Sequence, residues 1–161
     1  MKDKTCNITF GGTGGQGILK AAEICGWAAM FAGYHVKNSE VHGMAQRGGS
    51  VESHVRFGKK VFSPLVQQGS ADLLVCFHPE EHERLKAFLK KDGVDLSVYL
   101  EKAKAAIENP RQLNTFLVGV LSARLPIKVD CWLEAIETVF KKKYIEENKN
   151  IFLKGREMGQ L

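Results

Sequence analysis

The feature that most constrains this chain is a glycine cluster, Gly11-Gly12-Thr13-Gly14-Gly15-Gln16-Gly17, set between two segments of different hydrophobic period. Before it, Thr5 to Phe10 alternates the β-branched Thr5 and Thr9 with Cys6, Ile8 and Phe10, the pattern of a short strand. After it, Ile18, Ala21, Ala22, Cys25, Ala28, Ala29 and Ala32 recur on one face at helical spacing, and Gly33 supplies a C-cap. Tyr34 to Ser39 then reads as a second strand. Strand, glycine turn, helix and strand make a βαβ unit, whose right-handed crossover puts two parallel strands into one sheet. Residues 12–17 also have the G-x-G-x-x-G spacing. Glycine there permits positive φ and close main-chain approach, so backbone N–H groups and the helix N-terminus are free to hold a phosphate. A tight turn with no ligand is the plainer alternative.

The rest of the chain extends this plan. Ser50 to Phe57 alternates Val51, Ser53, Val55 and Phe57 with Glu52, His54 and Arg56, as a strand with one wet face requires. Gly58-Lys59-Lys60 predicts a turn, with Val61 and Phe62 resuming as the second arm of an appended hairpin. Ala71 to Phe77 is a short apolar run expected of a strand buried on both faces, which leaves His78 at its carboxyl end. Pro79 opens the next helix, with Glu80 and Glu81 at its positive end. Around Lys90 to Asp95 another parallel strand is due, yet the chain turns almost at once into a helical run, Ser97 to Ile107. A strand is missing here, either because the protein is trimmed or because loop residues are absent between joined flanks. Helical patterns follow over Leu113 to Leu125, Asp130 to Lys143 and Ile145 to Leu153, closed by Gly155. No repeat or linker divides the chain, so residues 1–161 are expected to form one domain. Its class is α/β, a Rossmann-like, mostly parallel sheet with flanking helices, an appended hairpin and a helical C-terminal part.

Composition removes several functional classes. At 44% hydrophobic and 25% charged, 161 residues suit a packed core and exclude disorder. The net charge of +5 is spread out, and Lys141-Lys142-Lys143 has Glu146 and Glu147 beyond it, a solvated helix face, so no nucleic-acid partner is expected. The apolar stretch Ile18 to Phe31 is broken by Lys20 and Glu23 and does not span a membrane. Met1 to Lys4 is charged and leads straight into a strand pattern, leaving no signal-peptide apolar region, which reads as cytoplasmic. Cys6, Cys25, Cys76 and Cys131 form no C-x-x-C pair, so they read as small buried thiols and build neither a zinc nor an iron-sulfur site.

A nicotinamide-binding Rossmann domain places an acidic residue about 20 positions after the turn, on the ribose hydroxyls. Glu40 falls near that place, but inside Ser39-Glu40-Val41-His42-Gly43-Met44-Ala45-Gln46-Arg47-Gly48-Gly49-Ser50, a more elaborate segment than ribose binding requires. This loop is expected at the same sheet edge as the glycine turn, so two phosphate-friendly loops converge. Within it Arg47 suits a phosphate or carboxylate, His42 donates or accepts near neutral pH, and Gly48-Gly49 permits close approach. Glu40, His42, Gln46 and Arg47 therefore join Gly12, Gly14, Gly15, Gln16 and Gly17 as candidate cofactor-binding residues. No nucleophile and base stand at recognisable spacing, so no catalytic residue is assigned.

The turn Gly12-Thr13-Gly14-Gly15-Gln16-Gly17-Ile18 and the run from Ser39 to Val51 resemble the gamma-type domain of 2-oxoacid:ferredoxin oxidoreductases. So do Ser53-His54-Val55-Arg56, Ser63-Pro64-Leu65, Asn109-Pro110 with Asn114-Thr115, and Phe152 to Gly155. The stretch around Asp92 to Asp95 departs from the pattern, since members normally carry another strand and loop there. The resemblance implies oxidative decarboxylation of an aryl 2-oxoacid, such as indolepyruvate, to its acyl-CoA, with electrons passing to ferredoxin. It implies that thiamine diphosphate and iron-sulfur clusters sit on a larger partner subunit. This chain, inactive alone, would pack against that partner and help form the coenzyme A site. The competing readings are a free-standing dinucleotide-binding module, with Glu40 on a ribose, and a purely structural interaction protein.

Overall fold

The computed structural model describes residues 4–43 and 49–161. Its strands are β1 (Cys6–Thr13), β2 (His35–His42), β3 (Ser50–Gly58), β4 (Ala71–Cys76) and β5 (Leu89–Asp95). Its helices are α1 (Ile18–Phe31), α2 (Pro79–Leu85), α3 (Leu100–Ala106), α4 (Leu113–Ser122), α5 (Val129–Val139) and α6 (Lys142–Gly159). Short 3-10 turns at Lys86–Phe88, Leu96–Tyr99 and Pro110–Gln112 join them. The sheet order is β2-β3-β1-β4-β5. β1, β4 and β5 pair in parallel, whereas β3 runs antiparallel to both β1 and β2. Four strands thus share one direction and β3 alone opposes them.

That order corrects two expectations. β1 and β2 do run parallel across α1, but they are not neighbours, because β3 lies between them. Val61 and Phe62 are not a hairpin arm. After Gly58 the chain leaves the sheet, burying Val61 and leaving Phe62 exposed. With two partners already on its edges, β3 has no open edge for a further strand.

The strand expected to be missing is present as β5. The crossover from β4 is cut to α2 and one 3-10 turn, about the dozen residues that a parallel connection needs. β5 is an edge strand, and its Lys90 and Lys91 stand where charge blocks further pairing. Lys90 Nζ reaches Asp72 on β4 at 2.6 Å, which ties the charged edge to its neighbour.

Two apolar layers follow from strand alternation. Ile8, Phe10, Val55, Phe57, Leu73, Val75 and Phe77 join α1, α4 and α5 in the main core. Leu74 and Cys76 point the other way, against Leu85 of α2, with Phe88 and Leu89 beside them. The helix expected to close at Gly155 instead runs on to Gly159, while the helix expected to reach Lys143 stops at Val139. Gly155 is where α6 crosses α4: a Cβ there would fall on the Phe116 carbonyl, and a Cβ on Gly119 would fall on that of Phe152. The two backbones touch without side chains between them.

Gly155→Ala is therefore expected to lower the unfolding free energy by about 3 kcal/mol through overpacking. Leu153→Ala, on the exposed side of the same helix, should change it by less than about 0.5 kcal/mol. Urea unfolding of the two variants checks the difference.

Candidate functional site

The glycine turn is built around the side chain of Gln16. Its Oε1 accepts from the Thr13 amide at 2.9 Å and the Thr13 hydroxyl at 3.2 Å, while its Nε2 donates to the Phe77 carbonyl at 2.9 Å. The Phe77 amide in turn donates to the Gly11 carbonyl at 2.8 Å, extending the β1–β4 pairing one residue past the strand. Gln16 thus locks the turn to the carboxyl end of β4. Gly12 is an inner packing position, where a Cβ would lie 2.5 Å from Gln16 Oε1 and 3.0 Å from Phe77 Cβ.

Gly15 and Gly17 have φ of +91° and +76°, the left-handed region that only glycine enters cheaply. Gly17 is the N-cap of α1 and brings no capping side chain, and the first turn carries no acid. The first intrahelical bond runs from the Ala21 amide to the Gly17 carbonyl, so the amides of Ile18, Leu19 and Lys20 have no intrahelical acceptor. Asn114 Nδ2 donates to that same carbonyl at 3.3 Å and fixes the turn from the α4 side. Gly15 faces open space. Among the described residues this helix N-terminus has no capping side chain; its positive dipole end is held in a fixed frame.

The second loop does converge on the turn. The Gly14 amide donates to the Gly49 carbonyl at 2.9 Å, and β1, β3 and β2 align Gly12, Val51 and His42 in one row. A groove of about 430 Å³ runs beside the turn, lined by Thr13, Gly14, Leu19, Lys20, His42 and Val51. Glu40 does not line it. It sits one pleat back on β2, with Oε1 3.6 Å from His42 Nε2, both side chains exposed. Because β3 intervenes, Glu40 lies two strand spacings, about 10 Å, from β1, level with Phe10 and short of the turn. Gln46 and Arg47 lie outside the described residues.

The expected wet face of β3 is covered. Glu52 and His54 are only 7% and 4% exposed, because α2 and Phe88 close over them. Sequence reasoning missed the polar chain that this burial creates. Thr9 Oγ1 bonds His54 Nδ1 at 2.9 Å, His54 Nε2 bonds Glu52 Oε2 at 2.7 Å, and Arg84 Nη1 donates to Glu52 Oε1 at 2.6 Å. Arg84 Nε then donates to Glu81 at 3.0 Å, and Glu81 accepts from the Ser50 hydroxyl at the base of the loop. The His54 hydrogen bond, with Arg84 behind it, holds Glu52 below the usual carboxylate range against the opposing effect of burial. The one signal available was the pairing of Glu52 and His54 at two-residue spacing on one strand face.

Cys6, Cys25 and Cys76 are buried as expected, whereas Cys131 is only half-buried. Burial raises Cys6 to about 12 and also raises Cys25 and Cys76, so none is a thiolate at neutral pH. Among the described residues no group of three or more His, Cys, Asp or Glu side chains is arranged to hold a metal. No helix among them is long and apolar enough to cross a membrane.

Two outcomes follow from the buried chain. Arg84→Ala strips Glu52 of a partner and should cost about 1–2 kcal/mol, a range kept low because Arg84 is partly exposed; urea unfolding measures it. A lowered carboxylate pKa means stability that is complete above the ordinary value and lost as pH falls through the lowered one. The Tm gap between the parent and Glu52→Gln should therefore be full at neutral pH and close below about pH 4.

Comparison with known proteins agrees with this geometry. Residues 7–97 match the pyruvate ferredoxin/flavodoxin oxidoreductase family. Indolepyruvate oxidoreductase subunit IorB of Thermococcus kodakarensis is 52% identical over 91 residues, covering 56% of this chain and 45% of that protein. The chain thus matches less than half the length of that relative. The common gamma subunit of the pyruvate/ketoisovalerate oxidoreductases of Pyrococcus abyssi is 33% identical over 96% of this chain and 97% of its own. The fold is shared with the gamma subunit of a keto/oxoacid ferredoxin oxidoreductase from Geobacter sulfurreducens, at a TM-score of 0.80, 24% identity, and coverage of 96% and 98%. It is also shared with part of a 2-oxoglutarate:ferredoxin oxidoreductase from Magnetococcus marinus that holds 2-oxoglutarate, coenzyme A and succinyl-CoA, at a TM-score of 0.78, 19% identity, and coverage of 98% of this chain and 31% of that one. With more than half its length inside the family match and a relative aligned end to end, the chain belongs to the pyruvate ferredoxin/flavodoxin oxidoreductase family.

Proposed function

We propose that this chain is a subunit of a 2-oxoacid:ferredoxin oxidoreductase that converts indolepyruvate or another aryl pyruvate to its acyl-CoA, passing the electrons to ferredoxin. The observation that carries the reading is the 52% identity over 91 residues with the indolepyruvate oxidoreductase subunit, beside a family match over residues 7–97 that takes in the glycine turn and the 39–51 loop. A larger partner holds thiamine diphosphate and the iron-sulfur clusters, and the donor set here fits neither group, its raised thiols lying apart in the core. The complex belongs in the cytoplasm, in keeping with its free cysteines.

The residues present do fit coenzyme A. The uncapped first turn of α1 and the open Gly15 offer amides to its diphosphate. Lys20 lines the groove beside them, its ammonium 4.9 Å from the centre of the Phe140 ring, and His42 stands across the groove. Coenzyme A, when bound, supplies the thiol that takes up the acyl group. In this reading the chain binds the diphosphate and orients the thiol arm, and Gln46 and Arg47 are assigned to the same ligand. The dinucleotide alternative loses its support, since Glu40 stands far from β1 on the far side of β3.

Affinity purification from native extract is expected to bring down a larger subunit with the visible absorption of iron-sulfur clusters. A colourless chain that purifies alone contradicts the proposal. In the intact complex, Arg47→Ala should raise KM for coenzyme A about ten-fold or more, the loss of one charged hydrogen bond, with KM for the 2-oxoacid little changed. An unaltered KM for coenzyme A removes Arg47 from the site.

A further inference from the structure

Ser50 closes the neck of the 43–49 loop. Its carbonyl accepts from the Gly43 amide at 2.6 Å, it faces Thr13 across to β1, and the Gly49 carbonyl just before it takes the Gly14 amide at 2.9 Å. The main chain is tightly packed there, since a Cβ on Gly43 would lie 3.1 Å from the Ser50 nitrogen. These contacts lie within the sheet. A further one comes from outside it, where the Ser50 hydroxyl donates to Glu81 Oε1 in the first turn of α2.

Glu81 is held from its other side as well. Its Oε2 accepts from Arg84 Nε at 3.0 Å, and the same guanidinium donates from Nη1 to the buried Glu52 at 2.6 Å. The helix that carries both is seated by Leu85, which packs on Gly11 of β1, and by His82, whose Nε2 bonds Asp95 of β5 at 2.5 Å. The Ser50 bond, with Arg84 behind it, holds the Glu81 carboxyl below the usual range against the opposing effect of burial. A carboxylate only accepts, so the hydroxyl donates and its direction is fixed. Both carboxylate oxygens are committed, and the side chain is 13% exposed.

Glu81 nevertheless lines neither groove of the glycine turn. One groove reaches from the turn to His42, and a second, also of about 430 Å³, lies on the turn's other side against residues between Lys104 and Leu113. We propose that Glu81 is a positioning residue for the 2-oxoacid reaction: acting through Ser50, it fixes the loop neck and with it the placement of His42 and the Gly49 carbonyl against the glycine turn. The inference rests on the oxidoreductase reading and adds to it a residue that never meets the reactants. Without this tie the neck keeps its main-chain bonds and loses its hold on α2. A small displacement of a groove wall is enough to slow a reaction whose partners must meet in one geometry.

The test is a double-mutant cycle in the purified complex, with Ser50→Ala, Glu81→Ala and the pair, read by kcat/KM for each substrate and by amide exchange. Each single variant is expected to lose about ten-fold in kcat/KM for coenzyme A. The pair should lose no more than about two-fold beyond either, because the two residues act through one bond. Glu81→Gln, which keeps an acceptor for the hydroxyl, should recover part of the loss, and Glu80→Ala, exposed on the same helical turn, should lose nothing. Exchange at Gly14 and Gly43, whose amides bond the neck, should quicken in both single variants, while Phe77, bonded to Gly11, stays as it was. Losses that multiply in the pair, full activity in Ser50→Ala, or unchanged exchange at Gly14 and Gly43 overturn the inference. If Glu81→Ala weakens assembly, Ser50→Ala decides, since it leaves α2 and its other partners in place. A parent complex with no 2-oxoacid oxidoreductase activity refutes the oxidoreductase reading instead. Exchange then decides the tie: quicker exchange at Gly14 and Gly43 keeps it, and unchanged exchange overturns it.

Discussion

The side chain of Gln16 holds the functional end of this molecule together. A glycine-rich turn has few side chains to stabilise it, and left alone it would sample many conformations. Here one amide group accepts twice from Thr13 and donates once to the Phe77 carbonyl, so the turn is fastened to the end of β4 across the sheet. The Asn114 bond to Gly17 adds a second anchor from the opposite layer. Just beyond those anchors the first turn of α1 presents the amides of Ile18, Leu19 and Lys20, which have no intrahelical acceptor. The two grooves exist because the turn stands between them and does not collapse onto its neighbours.

The insertion of β3 is the second constraint. By separating β1 from β2 it moves β2 and its residues Glu40 and His42 outward, and it brings the ends of the 43–49 loop to the glycine turn, where the Gly14 amide meets the Gly49 carbonyl. It also places Glu52 and His54 under α2. The resulting chain from Thr9 to Ser50 connects the sheet interior to the base of the loop through partners that all bond one another. Buried polar groups are tolerated when satisfied in this way. The same helix, α2, thereby braces the loop and caps the sheet.

Much of this plan was legible from residue pattern. The glycine turn, α1 and β4 stand out because a change of hydrophobic period and a short apolar run are local signals, whereas the resemblance to the gamma-type domain rests chiefly on the glycine turn and the run from Ser39 to Val51. β5 was hidden because an edge strand is stabilised by backbone pairing and guarded by charge, so Lys90, Lys91 and Asp92 read as a loop. The position of β3 and the burial of Glu52 and His54 depend on which strands become neighbours, a long-range matter that alternation along one strand does not encode. Val61 and Phe62 looked like a strand by residue type, but β3, the strand they would have paired with, already has a neighbour on each side. The second groove is assembled from the turn and from residues about ninety positions later in the chain, a separation that no local sequence pattern spans.

The central claim is that the turn from Gly14 to Lys20 holds an anionic cofactor with its main chain. Amide hydrogen exchange of the assembled complex, with and without coenzyme A, tests it most directly. The account predicts slowed exchange at Gly15 and at Ile18 to Lys20, amides that no described residue accepts from. Protection confined to other parts of the complex, with these amides exchanging as fast as before, would contradict it.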